Sequence, residues 1–388
     1  MSSPALNSHA DLFVVNVSLG AQPDSGFLRD FSSILVVDKL ADSPLTGRSD
    51  AVGIGGHSTK YITFSEAEVA TLTTANTDFG VAAKRILKTI FAANIHPSTV
   101  TFLAVDFDGT DTLAEQPANL LAAGKDYYWV VPTTTNEADS NDQFDIPLVV
   151  SAFATSAIIM AGLSTQPSVD ADINDIVALS TAQKERLYLT YNSNIASSDL
   201  SVGVDFAEIC AIYASVDYDN NAPGGNLSLT ASNATTITSA TAKTFMRDNN
   251  INYAGPISGA ASYVDAGVTF NGRPIYQVIF GDVIENRVQV DIMQVKAGLA
   301  GRVPPEKLPM TRTGQALVLA GLDARIQGFQ RAGHILDRQE ADDRGLTLPY
   351  VRGETITTAD ITNRQLRFSI LQYHLDDARK ITVNINVV

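Results

Sequence analysis

The sequence has few of the residues that mark disulfide-stabilised proteins or metal sites. Among its 388 residues there are one cysteine, Cys210, one tryptophan and five histidines. A single cysteine permits no internal disulfide, which fits synthesis in a reducing compartment, and Cys210 is expected to be a small core residue. No two histidines have the spacing of metal ligands. The sequence therefore predicts no disulfide framework, no metal site and no cofactor.

Positive charge is also scarce. The chain carries 27 lysines and arginines against 42 aspartates and glutamates, a formal net charge of −15. A surface of this sign repels phosphate backbones, so no direct contact with nucleic acid is expected. The same charge keeps free copies of the chain soluble and apart.

Long hydrophobic runs and a signal peptide are absent as well. The most apolar stretch, Ile146–Leu163, barely reaches the length that spans a membrane and includes Ser151 and Thr155. We interpret it as a buried core helix and predict no membrane association. Residues 1–10 contain neither the basic nor the apolar region that a signal peptide needs. With 45% apolar residues, the chain can bury a large core, and its length predicts two packed units, with three as the alternative.

Both ends of the chain, in contrast, carry clear strand patterns. Apolar residues alternate with polar ones in Asp11–Leu19 and again in Lys380–Val388, which is typical of half-buried strands. Such a terminal strand can pair within its own fold, or it can be donated to the sheet of a neighbour, because nothing beyond it tethers it. The residues expected to pair between subunits are Phe13, Val15, Val17 and Leu19 at one end and Ile381, Val383, Ile385 and Val387 at the other.

Between the two ends, strands and helices alternate, which predicts a mixed α/β or α+β fold. Predicted strands are Ser33–Val37, Tyr61–Phe64, Val100–Val105, Tyr127–Val131, an apolar strand within Ser201–Tyr213, a hairpin of Gly267–Gly272 with Pro274–Phe280, and Leu366–Tyr373. Predicted helices are Asp78–Asn94, Asn119–Ala123, Ser239–Asp248, Val283–Ala297 with Asp282 as N-cap, and Thr313–Ala332 closed by Gly333.

Four segments of the second half follow one another in a distinctive order. They are NNINYAG (Asn249–Gly255), GVTFNGRPI (Gly267–Ile275), KLPMTRTGQALV (Lys307–Val318) and RAGHI (Arg331–Ile335). Together they resemble the C-terminal core of contractile tail sheath proteins of myophages and R-type tailocins. Weaker similarity extends over the whole chain, and Met310 departs from the family pattern, which has an aromatic residue there.

The resemblance implies a structural subunit without an active site. Family subunits polymerise helically around an inner tail tube, with hexameric rings, and their terminal arms augment sheets of adjacent subunits so that the lattice can contract. Expected partners are further copies of the chain, the tail tube protein, and baseplate and tail terminator proteins, in a virion tail made in the host cytoplasm. The implied domains are a strand arm (1–20), an outer α/β domain (21–200), an inner core (201–375) and a second arm (376–388).

One segment is basic within this acidic chain. From Lys296 to Arg338 there are seven basic and three acidic residues, a net charge of +4. A locally basic face suits an acidic partner, although scattered solvated charges on two helices explain it equally well. The hypothesis is that Arg312, Arg325 and Arg331 face the tail tube.

Two other functions stay open. The segment VDFDGT resembles the first motif of haloacid-dehalogenase-type phosphotransferases, in which Asp106 would be the nucleophile, Asp108 the acid/base, and both would help to hold Mg²⁺. The same letters also describe a strand followed by a turn rich in aspartate and glycine. A different self-assembling shell protein, such as a capsid or surface-layer subunit, would share the acidity and the β-rich ends.

Overall fold

The chain divides into two compact units. The computed structural model describes residues 30–54, 58–107, 111–135, 144–221, 227–231, 237, 239–256, 262–264, 267–300, 308–309, 311–335, 337–343, 350–353, 355–358, 366–373 and 380–387. The larger unit comprises Asp30–Val216 and Pro223–Val278, and the described part of the smaller unit comes from Asp217–Ala222 and Ile279–Val388.

A seven-stranded sheet organises the larger unit. Its strands are β1 (Ile34–Lys39), β2 (Val52–Gly53), β3 (Lys60–Ser65), β4 (Thr99–Val105), β5 (Trp129–Pro132), β6 (Ile158–Leu163) and β7 (Leu187–Tyr191), in the spatial order β2-β3-β4-β1-β5-β6-β7. Strands β4, β1, β5, β6 and β7 are parallel, and β3 and β2 add antiparallel to the β4 edge. The predicted mixed α/β class is confirmed.

Helices cover both faces of this sheet, as parallel sheets require. The helices of the larger unit are α1 (Glu66–Ala70), α2 (Val81–Ala92), α3 (Gln116–Ala122), α4 (Ile146–Phe153), α5 (Asn174–Val177), α6 (Thr181–Glu185), α7 (Asp205–Ala214) and α8 (Ala240–Asp248). Helices α2 and α7 pack together on one face, and α4 packs on β5 and β6 with α3 and α5 beside it. Three short strands, β8 (Ser228–Leu229), β9 (Ala254–Pro256) and β10 (Ser262–Val264), form a second, antiparallel sheet.

The core follows the period of the strands. Leu35 and Val37 of β1 belong to the apolar cluster that α4 and α5 cover, whereas buried Val36 lies on the opposite side of the strand. The single tryptophan, Trp129, stacks on Tyr213 of α7 with 6.2 Å between ring centroids, and its indole N–H donates to the carbonyl of Phe31 at 2.7 Å. Both faces of β5 are therefore fully packed.

A buried arginine fixes the loop that follows β7. Arg85 of α2 is 1% exposed, and its guanidinium donates to the backbone carbonyls of Asn194, Ser197 and Val202 at 2.7, 2.8 and 3.1 Å, and also to that of Ile195. One buried side chain thus holds four backbone carbonyls of this loop in place.

The edge of the sheet at β7 is closed by a later segment of the chain. The Asn252 N–H donates to the Leu189 carbonyl at 2.9 Å, and the Tyr191 N–H donates to the Asn252 carbonyl at 2.9 Å. The Phe270 N–H adds a bond of 2.7 Å to the Leu187 carbonyl. The backbone of β7 is thus paired on both sides without another full strand.

The smaller unit contains two long helices and a second three-stranded sheet. Most of α9 (Ile275–Ala300) belongs to it, together with α10 (Arg312–Arg331), the short α11 (Arg338–Asp343), and the strands β11 (Tyr350–Gly353), β12 (Leu366–Tyr373) and β13 (Lys380–Val387). Helix α10 has the expected end, because Gly333 adopts a positive φ of 77° just after it. No helix in the described part of the chain is long and apolar enough to cross a membrane.

Two predictions about apolar runs were wrong. The stretch Ile146–Leu163 is not one helix but α4 followed by β6, and the strand predicted within Ser201–Tyr213 is the helix α7. Every residue of β6 and nearly every residue of α7 is buried, so these two segments are covered on all sides. Periodicity cannot separate helix from strand in such a run.

The predicted hairpin strand Pro274–Phe280 was also wrong. The chain makes one bridge between Val268 and Pro274 and then enters α9 at Ile275. Proline is tolerated at the start of a helix because it lacks only an N–H that has no helical partner there. Asp282, predicted as the N-cap, therefore lies inside α9.

The expected domain bounds stay a prediction beside these two compact units. The boundary expected between residues 200 and 201 falls within the larger unit, because α7 packs on the sheet that β5, β6 and β7 form. Residues up to Val278 belong to that unit too.

Asp205, the first residue of α7, has an unusual environment. It is fully buried, and one carboxyl oxygen accepts from the Phe206 N–H at 2.8 Å and the Thr190 hydroxyl at 3.2 Å. The other oxygen has no hydrogen-bond donor. Burial raises the pKa of Asp205 to about 7.

This pKa predicts how the stability of the larger unit depends on pH. The folded chain holds the Asp205 proton up to about pH 7, whereas the unfolded chain loses it near pH 4, so the free energy of unfolding falls as pH rises between these values and then levels off. The slope is about 1.4 kcal/mol per pH unit. Urea unfolding followed by Trp129 fluorescence should measure this contribution as a difference: the fall of the unfolding free energy with pH in the wild type becomes shallower by this amount in Asp205→Asn. The exposed Asp175→Asn serves as the control and should keep the wild-type slope. An unchanged slope in Asp205→Asn would contradict the assignment.

Candidate assembly surfaces

The last strand of the chain forms the edge of the small sheet. The order is β11-β12-β13, and β13 pairs antiparallel with β12 over all eight residues, from Lys380 opposite Tyr373 to Val387 opposite Leu366. Leu366 and Phe368 of β12 are fully buried. On its other side β13 has no strand beside it within the described residues, so this edge offers a row of backbone donors and acceptors.

The residues predicted to pair between subunits therefore have different outcomes. Ile381, Val383, Ile385 and Val387 lie on β13, where the strand prediction is confirmed, opposite Gln372, Ile370, Phe368 and Leu366 of the same chain. The counterparts at the other end, Phe13, Val15, Val17 and Leu19, lie outside the described residues. Pairing of either end with a neighbour stays a prediction.

An aromatic cluster joins α9 to the end of α10. The His334 ring stacks on Phe280 at 4.3 Å between centroids and meets Phe329 edge-on at 5.8 Å. Its Nε2 lies 2.7 Å from the carbonyl oxygen of Tyr218. Burial lowers the pKa of His334, so the neutral ring donates its Nε2–H to this carbonyl. The cluster holds Asp217–Ala222 against the RAGHI segment.

Four charged side chains reinforce the same arrangement. The Arg325 guanidinium donates two parallel bonds of 2.9 Å to Asp291 of α9 and a third, of 3.3 Å, to Asp219. Asp219 also accepts from Arg287 at 2.9 and 3.0 Å. Paired carboxylates raise the pKa of Arg325. The sequence does not single out Asp219, because it lies in a segment typical of an exposed turn.

The three arginines of the basic segment are thus not equivalent. Arg312 and Arg331, near the two ends of α10, are exposed. Among the described residues, Arg331 donates to the carbonyl of Gln327, one turn earlier, at 3.2 Å. Arg325 is already neutralised by Asp291 and Asp219. Between the outer arginines the exposed residues of α10 are four small or apolar ones and three polar ones, of which Asp323 is acidic: Ala316, Leu317, Ala320 and Ala324, with Thr313, Asp323 and Gln327.

The segments that carry the sequence resemblance acquire physical roles. The side-chain amide of Asn252, in NNINYAG, donates to the Val268 carbonyl at 2.6 Å and accepts from the Val268 N–H at 3.0 Å. Because Val268 belongs to GVTFNGRPI, the two segments close the β7 edge together. In the third segment, Thr311 caps α10, and a Cβ at Gly314 would overlap the carbonyl of Pro309. Only glycine fits there.

The structure describes only part of the site that the phosphotransferase alternative requires. Asp108 lies outside the described residues, and the Asp106 N–H donates to the Thr59 hydroxyl at 3.1 Å, while Thr59 in turn donates to Asp111. A cleft of about 340 Å³ does open where β1 and β5 end, but its described lining includes Asp38 and not Asp106. Asp38 already accepts from the hydroxyls of Ser43 and Thr133. Within the described residues, no three histidine, cysteine or acidic side chains group closely enough to hold a metal.

Two solved structures are similar in fold to this chain over nearly its whole length. A chain of the anti-feeding prophage baseplate matches with a TM-score of 0.56 and 15% identity, over 95% of this chain and 94% of its own. A sheath tail protein from Desulfitobacterium hafniense matches with a TM-score of 0.52 and 8% identity, over 96% and 99%. The chain has the fold of a tail sheath protein. No protein-family model matches the sequence, and no curated protein matches it significantly.

The ion pairs of Arg325 with Asp291 and Asp219 predict that this side chain stabilises the folded chain. Arg325→Lys should lose the two-pronged bond to Asp291 and lower the free energy of unfolding by about 1–3 kcal/mol. Arg331→Lys is the matched control and should change it by less than about 0.5 kcal/mol, because its side chain is exposed. Urea unfolding followed by circular dichroism measures both. Equal effects of the two substitutions would contradict the assigned ion-pair network.

Proposed function

We propose that the chain is a structural subunit of a contractile tail sheath and not an enzyme. The observation that carries this proposal is the likeness to a tail sheath protein and a baseplate chain over at least 95% of the sequence. The order of the four resemblance segments supports it independently, because that order is a property of the sequence and does not depend on the fold. Further copies of the chain are the first partner.

Copies join through the free edge of β13 in this proposal. An incoming strand would pair with the backbone N–H and C=O groups of β13 that do not bond to β12. This mode of binding is β-augmentation. Each backbone hydrogen bond gained contributes about 0.5–1.5 kcal/mol, and apolar burial adds to it. The segment Asp11–Leu19 of a neighbour has the alternating pattern that such an added strand needs. Joints of this kind let subunits rotate during contraction while they remain connected.

The inner tail tube is the second partner. Arg312 and Arg331 present positive charge at the two ends of α10, and the small side chains between them allow a close approach. Arg325 contributes by fixing α10 to α9 through Asp291. Baseplate and tail terminator proteins complete the set, in a virion tail assembled in the host cytoplasm.

Negative-stain electron microscopy of the purified chain tests the proposal. We expect hollow tubes or stacked rings with the appearance of contracted sheath. A chain that stays monomeric at high concentration and shows Mg²⁺-dependent phosphatase activity, lost in Asp106→Asn, would overturn it in favour of the phosphotransferase alternative.

Two neighbouring proline substitutions test the role of the β13 edge. In an antiparallel pair, alternate N–H groups point to the partner strand and away from it. Of Asn384→Pro and Ile385→Pro, one therefore removes a donor to β12 and the other removes a donor on the free edge. The variant that keeps the wild-type melting temperature is the edge variant, and we expect it to reduce tube formation at least tenfold by microscopy.

Deletion from Lys380 onwards gives the complementary result, a folded chain that does not polymerise. Normal tubes from both the edge variant and the truncated chain would show that β13 is not the link between copies.

A further inference from the structure

The negative charge of the chain is unevenly divided between its two units. The segments of the larger unit, residues 30–216 and 223–278, contain 25 acidic and 12 basic residues, a net charge of −13. Residues 217–222 and 279–388 contain 15 acidic and 14 basic residues, a net charge of −1. Almost all of the −15 therefore belongs to the unit built on the seven-stranded sheet.

Part of this charge lies fully on the surface. Asp170 and Asp175 are exposed near the start of the short helix α5, and Glu115 is exposed just before α3. In the smaller unit two of the described acids, Asp219 and Asp291, are paired with Arg287 and Arg325, and basic residues nearly equal acidic ones in number. Any lattice of parallel copies brings the −13 units closer to one another than they are in free solution.

We infer that the larger unit opposes assembly electrostatically, so that polymerisation takes up counter-cations and is promoted by salt. The inference rests on the proposed function, since it concerns the same polymer. Its sign is informative. If attraction between unlike charges of neighbouring copies dominated the contacts, added salt would screen that attraction and weaken the polymer. Self-repulsion between like units gives the opposite response, because screening removes the penalty.

A pair of matched charge variants separates this inference from a general salt effect. Asp170→Lys with Asp175→Lys changes the larger unit from −13 to −9, and Asp342→Lys with Asp343→Lys makes the same change of four charges in the smaller unit. All four aspartates are exposed. Melting temperatures establish that both variants fold. Because both have the same total charge, any general strengthening of apolar contacts by added salt is the same for the two.

The measurement is the polymer fraction by sedimentation, with microscopy of the pellet, between 0.1 and 1 M NaCl. The Debye length falls from about 10 to 3 Å over this range, and we expect the critical concentration of the wild type to fall by roughly threefold or more. The larger-unit variant should polymerise at 0.1 M NaCl as readily as the wild type does at high salt. The smaller-unit variant should keep the wild-type salt response.

Each other outcome is decisive. Polymerisation that weakens with salt, or identical salt curves for the two variants, overturns the inference and leaves the sheath proposal standing. Absence of polymer for all three proteins at every salt concentration overturns the sheath proposal itself, and the inference with it.

Discussion

The structure depends on where the backbone groups at sheet edges find their partners. A buried parallel sheet satisfies its interior strands and leaves two edges, and each edge must be shortened, covered or paired. The larger sheet ends in the two-residue strand β2 on one side. On the other side, Asn252 and Phe270 bond to β7. The small sheet is different, because β13 keeps an eight-residue edge with no strand beside it in the described part of the chain. This is the edge to which we propose that a neighbouring copy adds a strand.

The charges of the smaller unit serve two separate purposes. Arg287 and Arg325 are held by Asp219 and Asp291, and together with the stacking of His334 on Phe280 they fix α9, α10 and a short returning segment into one arrangement. Arg312 and Arg331 are left exposed and available to a partner. A count of basic residues in the sequence cannot distinguish paired arginines from exposed ones, whereas the hydrogen bonds of the folded chain do.

The sequence predicts the fold class and most of its elements, and the misses have a common physical cause. Strands β12 and β13 and helices α8 and α10 were predicted within a residue or two, because their apolar faces are one-sided or their caps are clear. The strand predicted in place of α7 and the helix predicted to continue through β6 failed because these two segments are buried on nearly every side, and such a run carries no period. The sequence alone could not single out Asp219 and Asp205. Their importance comes from Arg325 and Thr190, partners that only the folded chain brings near.

The most direct measurement is amide hydrogen exchange in residues 380–387, compared between the monomeric and the polymerised chain. In the monomer, about half of these amides bond to β12 and the others face outward. If β13 receives a strand from a neighbouring copy, the outward amides should exchange at least a hundredfold more slowly in the polymer, while those bonded to β12 change little. Outward amides that exchange equally fast in both states would contradict the role of the free β13 edge in assembly.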